Sequence, residues 1–590
     1  MATQPKPQEH WLAKYASNYH AWKPSTTPSG QKCFQRPLGL VETSFDIDGN
    51  YYGGRADMTA IFTLALRHTL SKAELRRRIA LAWTSLRLQH VLLMSRVADN
   101  VETAAAAGKK KSFVVDVPAS KEDAVRDVES SIIWVEDLYG GEEAGVMDDE
   151  KELYRHALNV GRIIEPEKCM SKMHVLPLKK RPDGKTYELR FLIIMAHQIS
   201  DGLSAYNWFS HFIRILNSPL SDIEAAISTS IAQEQIRKIL PPAQEDLYPP
   251  IAGNKARQRW FWAIIRVLRH VKKPLPPTFV NPLCREEQQR LEKPVVAFEP
   301  KSSKLFDYSE AVRPPMNSGH VTASLSPTAS QRLIHLCRSA NVSIGAGCFA
   351  LAGLSMMEIH ESRYPDMPPA SRPAFAASFP LNPRAFFANP PAADSCMLAF
   401  SEGIIMPFLP RSLPIEGRFR LVAKHANREL RVYQKRLKGN KGEALIPGLD
   451  KHSPGRLLAT GYLAQIERAN SKLPMEKQVD TSPQGALAPS ISPYGATCGV
   501  SSVGSTAAFF KRGTYDLSNM EGEDLVVDFL DLKMGVRARD NEFLVGSSTN
   551  AQGIVGFGVS YDASAISEEA ATMWKGKIEG LLEKSGAARL

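Results

Sequence analysis

An apolar run interrupted by a single arginine, Leu189-Arg190-Phe191-Leu192-Ile193-Ile194-Met195-Ala196, leads directly into His197. A short continuous apolar stretch of this kind predicts a buried strand. Upstream, Met173 to Leu178 and Tyr187 to Met195 flank a polar turn carrying Pro182-Asp183-Gly184, which predicts a hairpin. Beyond Gly202 the apolar positions Leu203, Tyr206, Phe209, Phe212, Ile213 and Leu216 take up helical spacing. The pattern therefore places His197 at a strand-to-helix junction, where side chains are commonly presented to a cleft.

The same reading extends along the chain. Residues 45–52 read as a strand and turn. Ser71-Lys72-Ala73-Glu74 is a capping box opening a helix, with Leu75, Ile79, Ala82 and Leu86 on one face and Arg76, Arg77 and Arg78 pointing elsewhere. Residues 102–160 read as a variable excursion, with an alanine run, a basic Lys109-Lys110-Lys111 and an acidic patch at Asp148-Asp149-Glu150. Prolines crowd residues 240–300 and suggest a crossover. A second unit opens near His320: a strand over 321–325, Ser326-Pro327 as helix cap and first-turn proline, then helices over 329–338 and 343–358. A strand over 375–379 ends in Pro380-Leu381-Asn382-Pro383-Arg384. Strands over 497–502, 525–532, 543–547 and 554–561 and a helix over 567–584 close the chain.

Length and composition set the class. At 590 residues the chain exceeds one ordinary core, and the expected division is 1–240, a proline-rich crossover 241–310, and 311–590. Apolar content of 43% and charged content of 23% are those of a soluble globular protein. The net charge of +11 favours acidic ligands. It is unaccompanied by zinc-finger spacing, a basic zipper or an RNA-binding signature, so nucleic acid is not expected as a partner. Seven scattered cysteines with no C-x-x-C argue against a disulfide framework and a structural zinc site. No secretory signal is visible at the N-terminus and no run is long enough to span a bilayer, so a cytoplasmic enzyme is the expectation.

The candidate chemistry centres on His197-Gln198-Ile199-Ser200-Asp201-Gly202. An imidazole titrates near neutrality and serves as a general base without extreme tuning. Other features have plainer readings. Lys179, Lys180 and Arg181 on the hairpin tip read as a solvated face. Trp260, Phe261, Trp262, Ile264, Ile265, Val267 and Leu268, followed by His270, Val271, Lys272 and Lys273, suit a membrane surface or a lid. A helix packing across the two units is the simpler reading. Asn341-Val342-Ser343 is a sequon without a secretory context.

His197, Asp201 and Gly202 match the H-x-x-x-D-G of an acyltransferase superfamily that the chain resembles: non-ribosomal-peptide condensation domains and their stand-alone CoA-dependent relatives, among them fungal alcohol O-acetyltransferases of the trichothecene type. Asn382-Pro383-Arg384 is similar to the family's N-x-R, and Ser501-Ser502-Val503-Gly504 looks like its small Ser-Ser-x-Gly tunnel segment. The resemblance covers residues 40–230 and 310–585, and only the histidine motif is specific. It implies an α/β (α+β) fold of two chloramphenicol-acetyltransferase-like subdomains with an active-site tunnel between them. His197 would be the general base, and Asp201 would pair with an arginine, for which Arg384 is the candidate. Gly202 would permit close backbone approach, while Ser501, Ser502 and Gly504 would line the acyl-donor end. Acyl-CoA enters as co-substrate, with no metal and no permanently bound cofactor. The partners implied are a small-molecule alcohol and the acyl donor, on a monomeric protein.

Two departures narrow the choice. Condensation domains carry a second histidine where this chain has Ala196, and no carrier-protein segment is evident. The D-F-G-W-G motif of the plant BAHD acyltransferases is also missing. These favour a stand-alone O-acyltransferase, transferring acetyl to a secondary-metabolite hydroxyl. The alternatives are an amide- or ester-forming enzyme fed by a carrier-protein thioester, and a non-catalytic ligand-binding relative.

Overall fold

The computed structural model describes residues 11–99, 111–139, 149–271, 275–285, 302–309, 317–387, 389–401, 403–433, 454–479, 483–485, 487, 489 and 496–583. The strand Tyr187–Met195 is central in the first of two six-stranded sheets found among these residues. It lies between Met58–His68 and Ser171–Val175, antiparallel to both. Residues Leu189 to Met195 are buried without a break, which explains the unbroken apolar run: both faces of this strand are covered. Helices Lys72–Gln89 and Gly202–Leu216 pack with this sheet through Trp83, Phe209 and Phe212.

The hairpin turn forms as expected. Gly184 takes a φ of 67°, and Asp183 Oδ1 accepts from the backbone N–H groups of Lys185 and Thr186 at 2.9 and 2.8 Å. Ser71 and Glu74 form the reciprocal capping box, at 3.3 and 2.8 Å. Arg78 is buried, and its guanidinium donates to the carbonyls of Leu216 and Ser218 at the end of the neighbouring helix.

The second sheet runs in the order Ser318–Ser324, Val555–Asp562, Phe543–Thr549, Cys498–Ser505, Phe375–Ser378, Ile404–Met406. Its core is built on the helix Ile344–Arg363, buried almost throughout from Ala346 to His360. Among the described residues no single helix is long and apolar enough to cross a membrane.

Three expectations change. Residues 45–52 are not a strand but part of the helix Leu40–Tyr51. Glu42 caps it by accepting from the Gly39 N–H at 2.7 Å, and Val41 and Phe45 stack one turn apart into the core. Nearly every position from Val41 to Gly49 is buried, so no polar face marks the helical period. Within 102–160, the described part is regular: strands Lys111–Asp116 and Ile132–Trp134, and helices Lys121–Glu129 and Glu150–Asn159. Lys109, Lys110 and Asp148 lie outside the described residues, as do 272–274, 286–301 and 310 of the 241–310 crossover.

The third change concerns the strand Leu525–Val536. It does not join the sheet of its sequence neighbours but pairs along its whole length with Met58–His68 in the first sheet. At its end Val536 N–H donates to Ser560 Oγ at 3.1 Å, joining the two sheets. The fully buried Arg537 then holds the junction, donating to the carbonyls of Gly53, Ala157, Val160 and Gly161 at 2.6, 2.9, 3.0 and 3.2 Å. One chain segment thus ties the two lobes together beside the histidine.

Candidate active site

His197 follows the central strand and precedes the helix Gly202–Leu216, whose N-cap is Asp201. Two cavities, of about 870 and 760 Å³, share His197, Gly202, Ser501, Val503, Val536 and Leu544 in their walls. Together they make a channel with two arms that meet at the imidazole. Phe45 lies flat against that ring, centroids 4.0 Å apart and planes 4° from parallel. Cys396 Sγ stands 4.0 Å from Nδ1. A hydrogen bond to the residue's own backbone favours the charged form of the ring. Burial holds the His197 pKa below its ordinary value; the backbone bond opposes this and the Arg539 charge adds to it. The imidazole is therefore neutral at physiological pH.

Asp201 does not share in that basicity through contact. Its Oδ1 accepts from Ser204 N and Oγ at 2.9 and 3.1 Å. Its Oδ2 accepts from Arg384 Nη1 at 2.8 Å and from Met397 N at 3.1 Å. Arg384 Nη2 donates onward to the Ser395 carbonyl at 2.6 Å, and Asn382 Oδ1 accepts from the Arg384 backbone and Nη1 at 3.1 and 3.3 Å. The pair joins the helix after His197 to residues 382–397 of the other lobe. Removing one member would strand a buried charge, at about 3–5 kcal/mol.

Gly202 and Gly504 do different work from that expected. Gly202 has no left-handed backbone, and a Cβ there would meet only Val503 Cγ1, at 3.6 Å. What its missing side chain leaves open is the channel between the two arms. Gly504 stands off the cavity walls with a φ of 77°, beside a register shift between Ser502 and Gly504. That bulge puts Val503 into the channel. Ser501 lines both arms and Ser502 the larger one. Lys179 and Lys180 are exposed on the hairpin, away from both cavities.

Several wall residues carried no signal in the sequence reading. Arg468 and Lys472 come from the helix Pro454–Lys472, and Arg539 follows the bridging strand. Asp48, on the helix misread as a strand, takes Lys472 Nζ and, at 3.0 Å, Arg539 Nη2 on one oxygen. The helix at 454–472 was legible in principle. Leu458, Tyr462 and Ile466 recur every fourth residue, and Ala459 and Leu463 beside them. The same helix receives Lys255–His270, whose Phe261, Trp262 and Ile265 share an apolar cluster with Tyr462, Trp262 against its ring, and whose Arg269 pairs with Glu467 at 2.7 Å. The aromatic segment of the sequence is thus mostly a packed helix, although Trp260 is 68% exposed. Among the described residues no group of three metal-ligating side chains converges.

No family model matches the chain, and no curated protein is similar to it in sequence. Solved structures are similar in shape. The TRI3 trichothecene 15-O-acetyltransferase from Fusarium sporotrichioides superposes with a TM-score of 0.63 at 13% identity, covering 99% of this chain and 99% of that one. The condensation domain of the monacolin K polyketide synthase MokA gives 0.51 at 10% identity, covering 93% and 96%. At such identities the likeness establishes the architecture: a two-lobed, mixed α/β fold of the condensation-domain and chloramphenicol-acetyltransferase type.

Proposed function

We propose that this protein is an acyl-CoA-dependent O-acyltransferase acting on the hydroxyl of a small molecule, with His197 as general base. The observation that carries the reading is the meeting of two cavities at one neutral imidazole. Two substrates entering by separate arms react only where the arms join. The shared fold with an O-acetyltransferase adds to it.

In the proposed reaction His197 takes the acceptor hydroxyl proton as the oxygen adds to the thioester carbonyl. In this reading the Ser501 hydroxyl, which lines both arms, offsets the tetrahedral oxyanion. The intermediate collapses by breaking the carbon–sulfur bond, and the imidazolium returns its proton to the leaving thiolate. An ester, a free thiol and a neutral histidine result. Asp201 and Arg384 keep the loop geometry and touch no reacting atom.

The test is thiol release from acetyl-CoA over a panel of alcohols. His197→Ala should lose roughly 10²–10⁴-fold in rate while unfolding with unchanged cooperativity. Full activity in a well-folded His197→Ala protein would overturn the assignment. A second reading, transfer from a carrier-protein thioester, has the likeness to a condensation domain behind it. Offering acetyl-CoA and an acetylated carrier protein to the same preparation separates the two.

A further inference from the structure

The larger arm of the channel holds more positive charge than its carboxylates cancel. Apart from Arg384, its wall carries Arg468, Lys472 and Arg539. Asp48 is shared by Lys472 and Arg539, and Arg539 also reaches Glu542 at 3.4 Å. Asp540, the remaining carboxylate of that wall besides Asp201, pairs with Arg55 at 3.0 Å. Among the described residues no carboxylate lies within ion-pair distance of Arg468. Its guanidinium instead rests on the Phe400 ring, 4.1 Å from the centroid. One cation is left over.

Holding it there is costly. Burial, and then the charge of Arg539, lowers Lys472 to about 8 and Arg468 to about 10. An arriving anion would offset both. The cluster is also close to the reacting position. Lys472 Nζ and Arg539 Cζ each lie 5.8 Å from the Phe45 ring centroid, and that ring is 4.0 Å from His197. Neither cation is farther from the imidazole than those two separations laid end to end. An extended pantetheine arm is longer than that bound, so the phosphates of a CoA reacting at His197 fall beyond Lys472 and Arg539.

From this geometry we infer that Arg468, with Lys472 and Arg539, forms an anion subsite that takes a carboxylate carried by the small-molecule portion of a substrate, a few bonds from the reacting atoms. The inference rests on the channel being the acyl-transfer site. The carboxylate belongs either to the acceptor, as in a hydroxy acid, or to the acyl group, as in malonyl-CoA.

Two arms of one binding experiment decide it. In the first, small hydroxy acids are titrated against their methyl esters; in the second, malonyl-CoA against acetyl-CoA. The proteins are the wild type, His197→Ala, Arg468→Gln and Arg468→Lys. The wild type and His197→Ala should prefer the acid member of at least one pair by roughly tenfold, the size of one charge-assisted contact. The preference should fall to near parity in Arg468→Gln and return in Arg468→Lys. The arm that shows it identifies which substrate bears the charge. No acid preference in either arm, or one unchanged in Arg468→Gln, overturns the subsite. Binding needs no chemistry, so an acid preference in a protein that releases no thiol would sink the transferase reading and leave the subsite standing.

Discussion

Two carboxylate–cation groups stand near His197, and they are built in opposite ways. Around Asp201 every strong acceptor position is filled: Ser204, Met397 and Arg384 take both oxygens, and Arg384 passes its second terminal nitrogen to a backbone carbonyl. Around Asp48 the cations outnumber the anions, and Arg468 faces the cavity without a carboxylate. A closed network fixes geometry, because breaking any part of it leaves a buried charge. An open one keeps a charge available for a ligand. The difference predicts that nominally similar arginines will respond in opposite senses to removal.

The largest effect should come from the closed group. Asp201→Asn keeps a helix-capping oxygen but strands Arg384, so it should cost about 3–5 kcal/mol in denaturant unfolding. Arg384→Gln should cost a similar amount, and the double variant much less than the sum. Additive losses would show that the pair does not act as a unit. Arg468→Gln, by contrast, removes an uncompensated cation and should leave stability unchanged or raised. A loss like that of Arg384→Gln would erase the distinction between the groups.

Next is the channel itself. Gly202→Leu places a side chain between the two arms, where its Cβ would meet only Val503 within 4 Å. It should fold with stability within about 1 kcal/mol of wild type, since glycine is the poorer helix former, yet transfer acyl groups at least tenfold more slowly (roughly the effect of misplacing a substrate). Wild-type turnover in that variant would mean that the substrates do not meet there.

The smallest effect is on pH dependence. His197 is held neutral, so kcat/KM should stay level through neutral pH and fall only below 6.5, toward its lowered pKa. Folding stability has the same sign. The unfolded chain protonates this histidine before the folded one does, so its contribution is present above 6.5 and is lost as pH falls toward the folded value. Arg539→Gln removes part of the positive field and should move the acid limb of the rate profile upward. An unmoved limb would show that Arg539 is electrostatically remote from the base.

What the sequence made legible was local. The apolar run before His197 and the helical spacing after Gly202 lie within thirty consecutive residues (189–216), and both are found where they were read. Arg384 was found through its N-x-R, and it does lie beside Asp201. The cation cluster was not legible, because it draws Asp48, Arg468, Lys472 and Arg539 from three segments far apart in the chain. Phe45, the residue that connects that cluster to the imidazole, lies in a helix hidden by the burial of nearly every position from Val41 to Gly49. The strand over 525–532 is legible as a strand of the second unit, but its pairing with Met58–His68 is not, since alternation says nothing about which partner a strand takes.

The most direct test of a two-armed channel meeting at His197 is a crystal structure of the protein with CoA bound. The account predicts the thiol sulfur beside the imidazole, reached through one arm, with the other arm open for the acceptor. CoA seated elsewhere on the surface, or lying across both arms with its sulfur away from His197, would contradict it.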